Sequence, residues 1–431
     1  MIRLNRRTLC VVGAVTLAAC DGGSGPEAAL RPSYAMGADE SHTIVVNPNA
    51  KGNGVAATIQ EGINRVAPGG QVLVKPGTYD ETLVIDKGLT LEAIGEGNGA
   101  VIIAPSATAA NVVDVTTTEP VTIRDVTIQY TGANGIRGFG TVDLTVENVS
   151  VSDLNPPGAG NLIAVFDDET DPGRARVAVR HSVLDGGVND GTPPLPQVFG
   201  LRVQGDVDAV FEGNEIRRAG GACIFVVTRG DLGGATNADI LGNQLDLCHP
   251  TGRVGSILIG PIAGNLPSAD RPVTATGVVN IIGNVIHNSV GSCLPGTAID
   301  FEVGSGRIEH NEISRVVQPC AVPTPRNLQG AIWLGRRQHP LFPAVNVSVR
   351  FNDIVGNAFA GLRIGPNQTI AIDASCNYWG AADGPSGIGS GSGDAVVVEA
   401  GSASTGPGGA APVFVPFAAA PIANTAATSC D

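Results

Sequence analysis

The sequence is poor in charge and in aromatic rings. Charged residues make up 15% of the 431 positions and aromatic residues only 4%. Helical domains draw heavily on Leu, Lys and Glu, so this composition argues against one. No Cys-x-x-Cys occurs and no cysteines have zinc-type spacing, which argues against a metal cluster. Positive charge is also scarce, with 26 Lys and Arg against 40 Asp and Glu for a net charge of −14. Nucleic acid would be repelled. An acidic polysaccharide would bind tightly only through cations or a local basic patch.

Glycine, at 59 residues, is abundant. Short strands broken by tight turns need it, which favours an all-β or solenoid chain. The first nineteen residues read as a leader. Arg3, Arg6 and Arg7 form a basic start, and Leu9 to Leu17 is apolar but too short to span a bilayer. Small residues then run into Cys20 in Leu17-Ala18-Ala19-Cys20. Losing the three leader arginines moves the net charge from −14 to −17. Residues 20–44, opening Asp-Gly-Gly-Ser-Gly-Pro after the cysteine, read as a flexible tether. The body is expected over 45–420, with a tail at 421–431. Cys10 leaves with the leader, so Cys223, Cys248, Cys293, Cys320, Cys376 and Cys430 remain besides Cys20. An even count in an exported chain reads as three disulfides.

Thr58 to Val66 has the pattern of one short amphipathic helix, followed by three- to five-residue apolar runs cut by glycine and proline. Further on, a motif recurs: apolar-x-x-Asn-x-apolar at Phe211–Ile216, Ile240–Leu245, Ile281–Ile286, Ile308–Ile313 and Val349–Ile354. Its asparagines are Asn214, Asn243, Asn284, Asn311 and Asn352, with Asn377 a sixth candidate. A fixed short motif at variable spacing is the mark of a solenoid carrying loop insertions. Stacked coils pair their strands in parallel, and an internal asparagine at each bend can bond the coil above. Cys293 and Cys320 share one register of adjacent coils, and Cys223 and Cys248 also lie in adjacent coils, so both pairings are plausible in reach.

These features carry resemblances. The Leu-Ala-Ala-Cys run resembles a bacterial lipobox, which implies lipidation of Cys20 and a membrane anchor. Arg6-Arg7 resembles a twin-arginine export signal more weakly, and Asp21 resembles an inner-membrane retention signal. The segment from Ile59 to Gly95 resembles the opening of right-handed parallel β-helix proteins of the pectin-lyase-like superfamily, with the helix capping the first coil. Asn377-Tyr-Trp-Gly380 and the later Val413-Phe-Val-Pro-Phe417 resemble the terminal coil and cap of bacterial surface β-helix proteins. That implies an end-covering role for Trp379 rather than ligand stacking. The fold class is therefore a single-stranded right-handed parallel β-helix. Relatives of this kind include sugar binders, hydrolases, lyases and a copper-processing accessory protein.

Catalytic signatures are incomplete. The Gly-His-Gly of polygalacturonases is absent. Asp167-Asp168 sits in an acidic stretch with Glu169 and Asp171, which reads as a solvated loop or, more sharply, a calcium site. Residues 200–227 and 296–304 resemble segments of pectin methylesterases, yet the catalytic Gln and Asp of that family fall near Gly221-Ala222-Cys223 here. Only Asp300 survives as a nucleophile-like carboxylate, and ester hydrolysis needs an oxyanion stabiliser as well.

Period-two alternation in the strands after the asparagine bends turns Arg202, Phe225, Leu258, Asp300, Trp333 and Arg363 outward in one column. Gln204, Val227, Gly260, Glu302, Gly335 and Gly365 form a second beside it. Sugar rings would stack on Trp333 or Phe225, with Arg202, Arg363, Asp300 and Glu302 bonding hydroxyls. The competing expectation is that insertions at 246–277 and 315–347 cover this face and bury its aromatics. The leading expectation is an envelope-anchored scaffold that binds, and in some versions processes, a polysaccharide. The alternatives are a hydrolase or lyase using Asp300 and Glu302 as paired carboxylates, and an adhesive or structural surface protein.

Overall fold

A computed structural model describes residues 41–49, 52, 54–95, 100–154, 160–167, 173–187, 198–227, 235–248, 255–260, 277–289, 297–316, 330–335, 343–366, 368–400, 408–425 and 429–430. The leader, Cys20, Asp21, Asp168, Glu169, Asp171, Cys293 and Cys320 lie outside these residues. Apolar residues alternate with polar ones in short runs, and each run forms one strand of a coil. One turn reads Val66–Val74, Gly77–Tyr79, Leu83–Ile85, after which Leu89–Ala93 returns beside the first strand. Repetition builds three parallel sheets of 12, 10 and 12 strands, the three faces of a right-handed parallel β-helix. The interior is one continuous stack of Val, Ile and Leu running from Ile44 to Val396.

Both ends are closed. The helix Ile59–Arg65 places Ile59 and Ile63 on the first coil, as its pattern predicts. Thr58 caps it, accepting from the Glu61 N–H at 3.1 Å, and the Glu81 carboxylate accepts from the N–H groups of Ile59 and Gln60. The first strand starts at Ser41, slightly before the boundary read from the sequence. At the far end Trp379 is fully buried, as expected of a residue covering the core. Residues beyond 420 are held to the body. Ile422 donates its N–H to Asp353 at 2.6 Å, and Cys430 is bonded to Cys376 with Cα atoms 4.8 Å apart. Cys223 and Cys248 are joined as well, at 5.6 Å. Disulfides of this kind belong to an oxidising compartment and an exported chain.

The asparagines form the ladder that their spacing suggests. Each Nδ2 donates to Oδ1 of the next in the series Asn214, Asn243, Asn284, Asn311, Asn352 and Asn377, at 2.9–3.0 Å. Each Oδ1 also accepts the main-chain N–H of the asparagine before it. The residue ahead of every rung is left-handed, and Gly213, Gly242 and Gly283 fill three of these places. In the same slot of earlier coils stand Val126, Val149 and Ser182, so the N-terminal half uses an apolar stack and Ser182 makes the transition.

Candidate functional site

The third face is where the outward column was expected, and its register is the one read from alternation. Arg202, Phe225, Leu258, Asp300, Trp333 and Arg363 are successive partners across five coil steps. That spans about 24 Å at the spacing of paired strands. Their neighbours Leu201, Ile224, Ile257, Ile299, Ile332 and Leu362 all enter the core.

Outward does not mean accessible, and here the expectation of an open sugar-binding column is corrected. Trp333 and Phe225 each keep 6% of their surface, Arg363 keeps 5%, and Asp300 keeps none. Phe225 packs with Ala222, Val227 and Leu258 into a second apolar cluster outside the coil. Arg363 lies over the Trp333 ring at 4.5 Å and pairs with Glu399 at 2.6 Å. A ring already stacked on a guanidinium and shut from water has no face for a sugar. This half of the face is therefore buried, and most of the insertions expected to cover it (249–254, 261–276, 317–329 and 336–342) lie outside the described residues.

Asp300 and Glu302 sit on one strand end of the same half, both buried. Glu302 lies against Gly260, where a Cβ would meet its Oε2 at 2.6 Å. The position of the missing pectin-methylesterase pair is apolar: Ala222 is buried in the outer cluster and Cys223 is committed to its disulfide. Asp167, the described member of the acidic stretch, accepts the Asp206 N–H at 3.0 Å, so one of its oxygens serves the turn. Among the described residues no group of three or more His, Cys, Asp or Glu converges as a metal site would.

The accessible part of the face lies on earlier coils. Asn111, Asn134 and Asn161 stack at the corner entering it. The amides of Asn111 and Asn134 meet at 2.8 Å, and Asn161 Nδ2 donates to Asn134 Oδ1 at 2.7 Å. Phe199 takes the next place in that series. Three residues further along, Asp114, Arg137, Ala164 and Arg202 form the N-terminal continuation of the column. Arg137 pairs with Asp114 at 3.2 Å and lies 4.9 Å from the centre of the Phe139 ring. Phe139 is 40% exposed, and Phe166, Phe199, Arg202 and Gln204 are partly exposed. The three phenylalanines had no role in the sequence reading. A signal was present in Asn111-x-x-Asp114, Asn134-x-x-Arg137, Asn161-x-x-Ala164 and Phe199-x-x-Arg202, one frame recurring at the start of four strands.

The guanidinium of Arg202 occupies a box of rings. Its central carbon lies 5.1 Å from the Phe166 centroid and 5.6 Å from those of Phe199 and Phe225. Nη2 donates to Gln204 at 3.1 Å, while Nε finds no acceptor. Burial lowers its pKa from the ordinary arginine value, and no carboxylate among the described residues offsets the shift. The first face is built differently. Across its coils Glu92, Arg124, Glu147, Arg180 and Glu212 alternate in sign, with ion pairs Arg124–Glu92 at 2.6 Å and Arg180–Glu212 at 3.2 Å. Self-paired charges of that kind suit a solvated surface rather than a ligand.

No protein-family model matches the chain, and no curated protein does. Among solved structures, it is similar to the Dettilon tailspike protein at 14% identity, covering 84% of this chain and 72% of that one, with a TM-score of 0.49. The A-module of a mannuronan C-5 epimerase from Azotobacter vinelandii gives 16% identity, coverage of 86% and 98%, and a TM-score of 0.46. Pectin methylesterase PemA from Erwinia chrysanthemi gives 13%, 78% and 82%, and 0.30. These are similarities of architecture at low identity, and no residue role is taken from them.

Proposed function

We propose that this protein is an exported, lipid-anchored β-helix that binds a polysaccharide along the N-terminal half of its third face. The observation that carries the reading is the accessible strip itself. Amides at Asn111 and Asn134, the guanidinium of Arg137 and the rings of Phe139 and Phe166 lie on parallel strands of neighbouring coils. Flat rings suit the apolar faces of sugars, and amides and guanidinium groups suit their hydroxyls. A parallel sheet repeats these groups about every 4.8 Å, so an extended chain could contact several coils at once. The hydrolase or lyase reading on Asp300 and Glu302 draws less support, because both carboxylates are buried.

A glycan array probed with the purified body tests the reading. Binding to at least one polysaccharide is expected, and Phe139→Ala is expected to weaken it at least severalfold with an unchanged melting temperature, since that ring is exposed. Absence of binding across the array would leave the structural or adhesive alternative. Binding that Phe139→Ala leaves intact would move the site elsewhere.

A further inference from the structure

We propose that the ligand is a sparsely acidic polysaccharide, mostly neutral sugars with an isolated carboxylate that docks on Arg202. This rests on the third face being a polysaccharide surface and names the chemistry it selects. Three cations of the outward column can be compared. Arg137 is neutralised by Asp114 and Arg363 by Glu399. Arg202 alone of the three has no carboxylate partner among the described residues; its one hydrogen bond goes to a neutral amide, and its Nε has no acceptor. Three phenylalanine rings around it lower the local dielectric without supplying a counter-charge. Ring faces favour a cation modestly, whereas a carboxylate offers charge-assisted hydrogen bonds. A desolvated guanidinium left in this state is poised for an anion from outside, and part of Arg202 remains accessible.

A second observation points the same way. The amide series at the corner ends on Asn161, which is 7% exposed and whose Oδ1 has no donor, on the coil next to Arg202. A sugar hydroxyl beside the carboxylate would supply that donor. The rest of the molecule sets the limit on charge. A protein of net charge −14 repels a uniformly charged polyuronate, while screening over about 8–10 Å at ordinary salt shields a lone carboxylate seated on its guanidinium from the rest.

The test uses the protein body against oligosaccharides of gellan, xanthan and hyaluronan, the same fragments with carboxylates reduced to alcohols, and oligogalacturonate as the fully charged case. Expected is binding of at least one acidic heteropolysaccharide fragment, about tenfold or more tighter than its reduced form, and tighter than oligogalacturonate. Arg202→Met should bind the acidic and reduced forms alike, with a melting temperature equal to or above wild type, because an unpaired charge has been removed. If reduced and acidic fragments bind wild type equally, or oligogalacturonate binds best, the charge inference falls while the polysaccharide face stands. If no fragment binds in either form, both fall. A steep drop in melting temperature for Arg202→Met would make the arginine a structural residue and overturn the proposal.

Discussion

Replacing Asn284 with Leu removes one rung from the middle of the ladder, and the hydrogen bonds fix what is lost. Asn284 Oδ1 accepts from the N–H and the Nδ2 of Asn243, both at 2.9 Å. Its Nδ2 donates to the Ile240 carbonyl at 2.8 Å and to Asn311 Oδ1 at 3.0 Å. After the change Asn243 Nδ2 still reaches the Phe211 carbonyl, and Asn311 Oδ1 still holds the main-chain N–H of residue 284. One buried group loses the partner described for it, the Asn243 N–H, while the Ile240 carbonyl keeps the Ile282 N–H of the sheet ladder. At about 1–3 kcal/mol for a buried group left unpaired, the cost is about 1–3 kcal/mol. Asn284→Ser should cost less, because Ser182 shows that a hydroxyl in this slot can still accept the N–H of the coil before, there from Val149 at 3.1 Å. The assay is urea unfolding followed by circular dichroism with the disulfides intact. An unchanged midpoint for Asn284→Leu, or equal losses for Leu and Ser, would refute the ladder as a source of stability.

Trp333→Ala is expected to destabilise the fold by about 3–5 kcal/mol, the cost of emptying a buried aromatic site; an unchanged melting temperature with loss of glycan binding would restore the open-column reading. Cys20→Ala should abolish palmitate incorporation during expression, and continued labelling would remove the lipid anchor from the proposal. Burial raises the Asp353 pKa above the ordinary carboxylate value, with Glu312 adding to the rise and the amides of Ile422 and Ala423 opposing it. The folded chain therefore keeps this proton to higher pH than the unfolded one, so its contribution is full in acid and declines as pH climbs from about 4 through the raised value. Asp353→Asn should flatten that decline in a pH series of unfolding midpoints, and an identical slope in both proteins would contradict the assignment.

The fold was legible because its constraints are local. A fixed apolar-x-x-Asn-x-apolar frame put six asparagines on one ladder, and by placing Cys223 and Cys248 in adjacent coils it made their disulfide legible. Earlier coils do not carry this frame because Val126, Val149 and Ser182 serve the same slot with other chemistry. The candidate site was legible only by half. Alternation tells which side chains leave the core, and the column from Arg202 to Arg363 is in the predicted register. It does not tell which outward residues meet water, since that depends on what packs outside the coil. Phe225 and Trp333 are buried there, whereas Phe139 is not. The frame that does mark the accessible strip, Asn134-x-x-Arg137 and its equivalents, sits at a corner between faces, where neither a period of two nor the ladder motif applies.

Hydroxyl-radical footprinting of the protein with and without a bound oligosaccharide tests the central claim most directly. It reads, residue by residue, where the ligand excludes water. The account predicts that Phe139, Phe166 and Phe199 lose labelling on binding, while Phe225 and Trp333 are labelled weakly in both states. Protection confined to the first or second face, or strong labelling of Trp333 that the glycan suppresses, would contradict it.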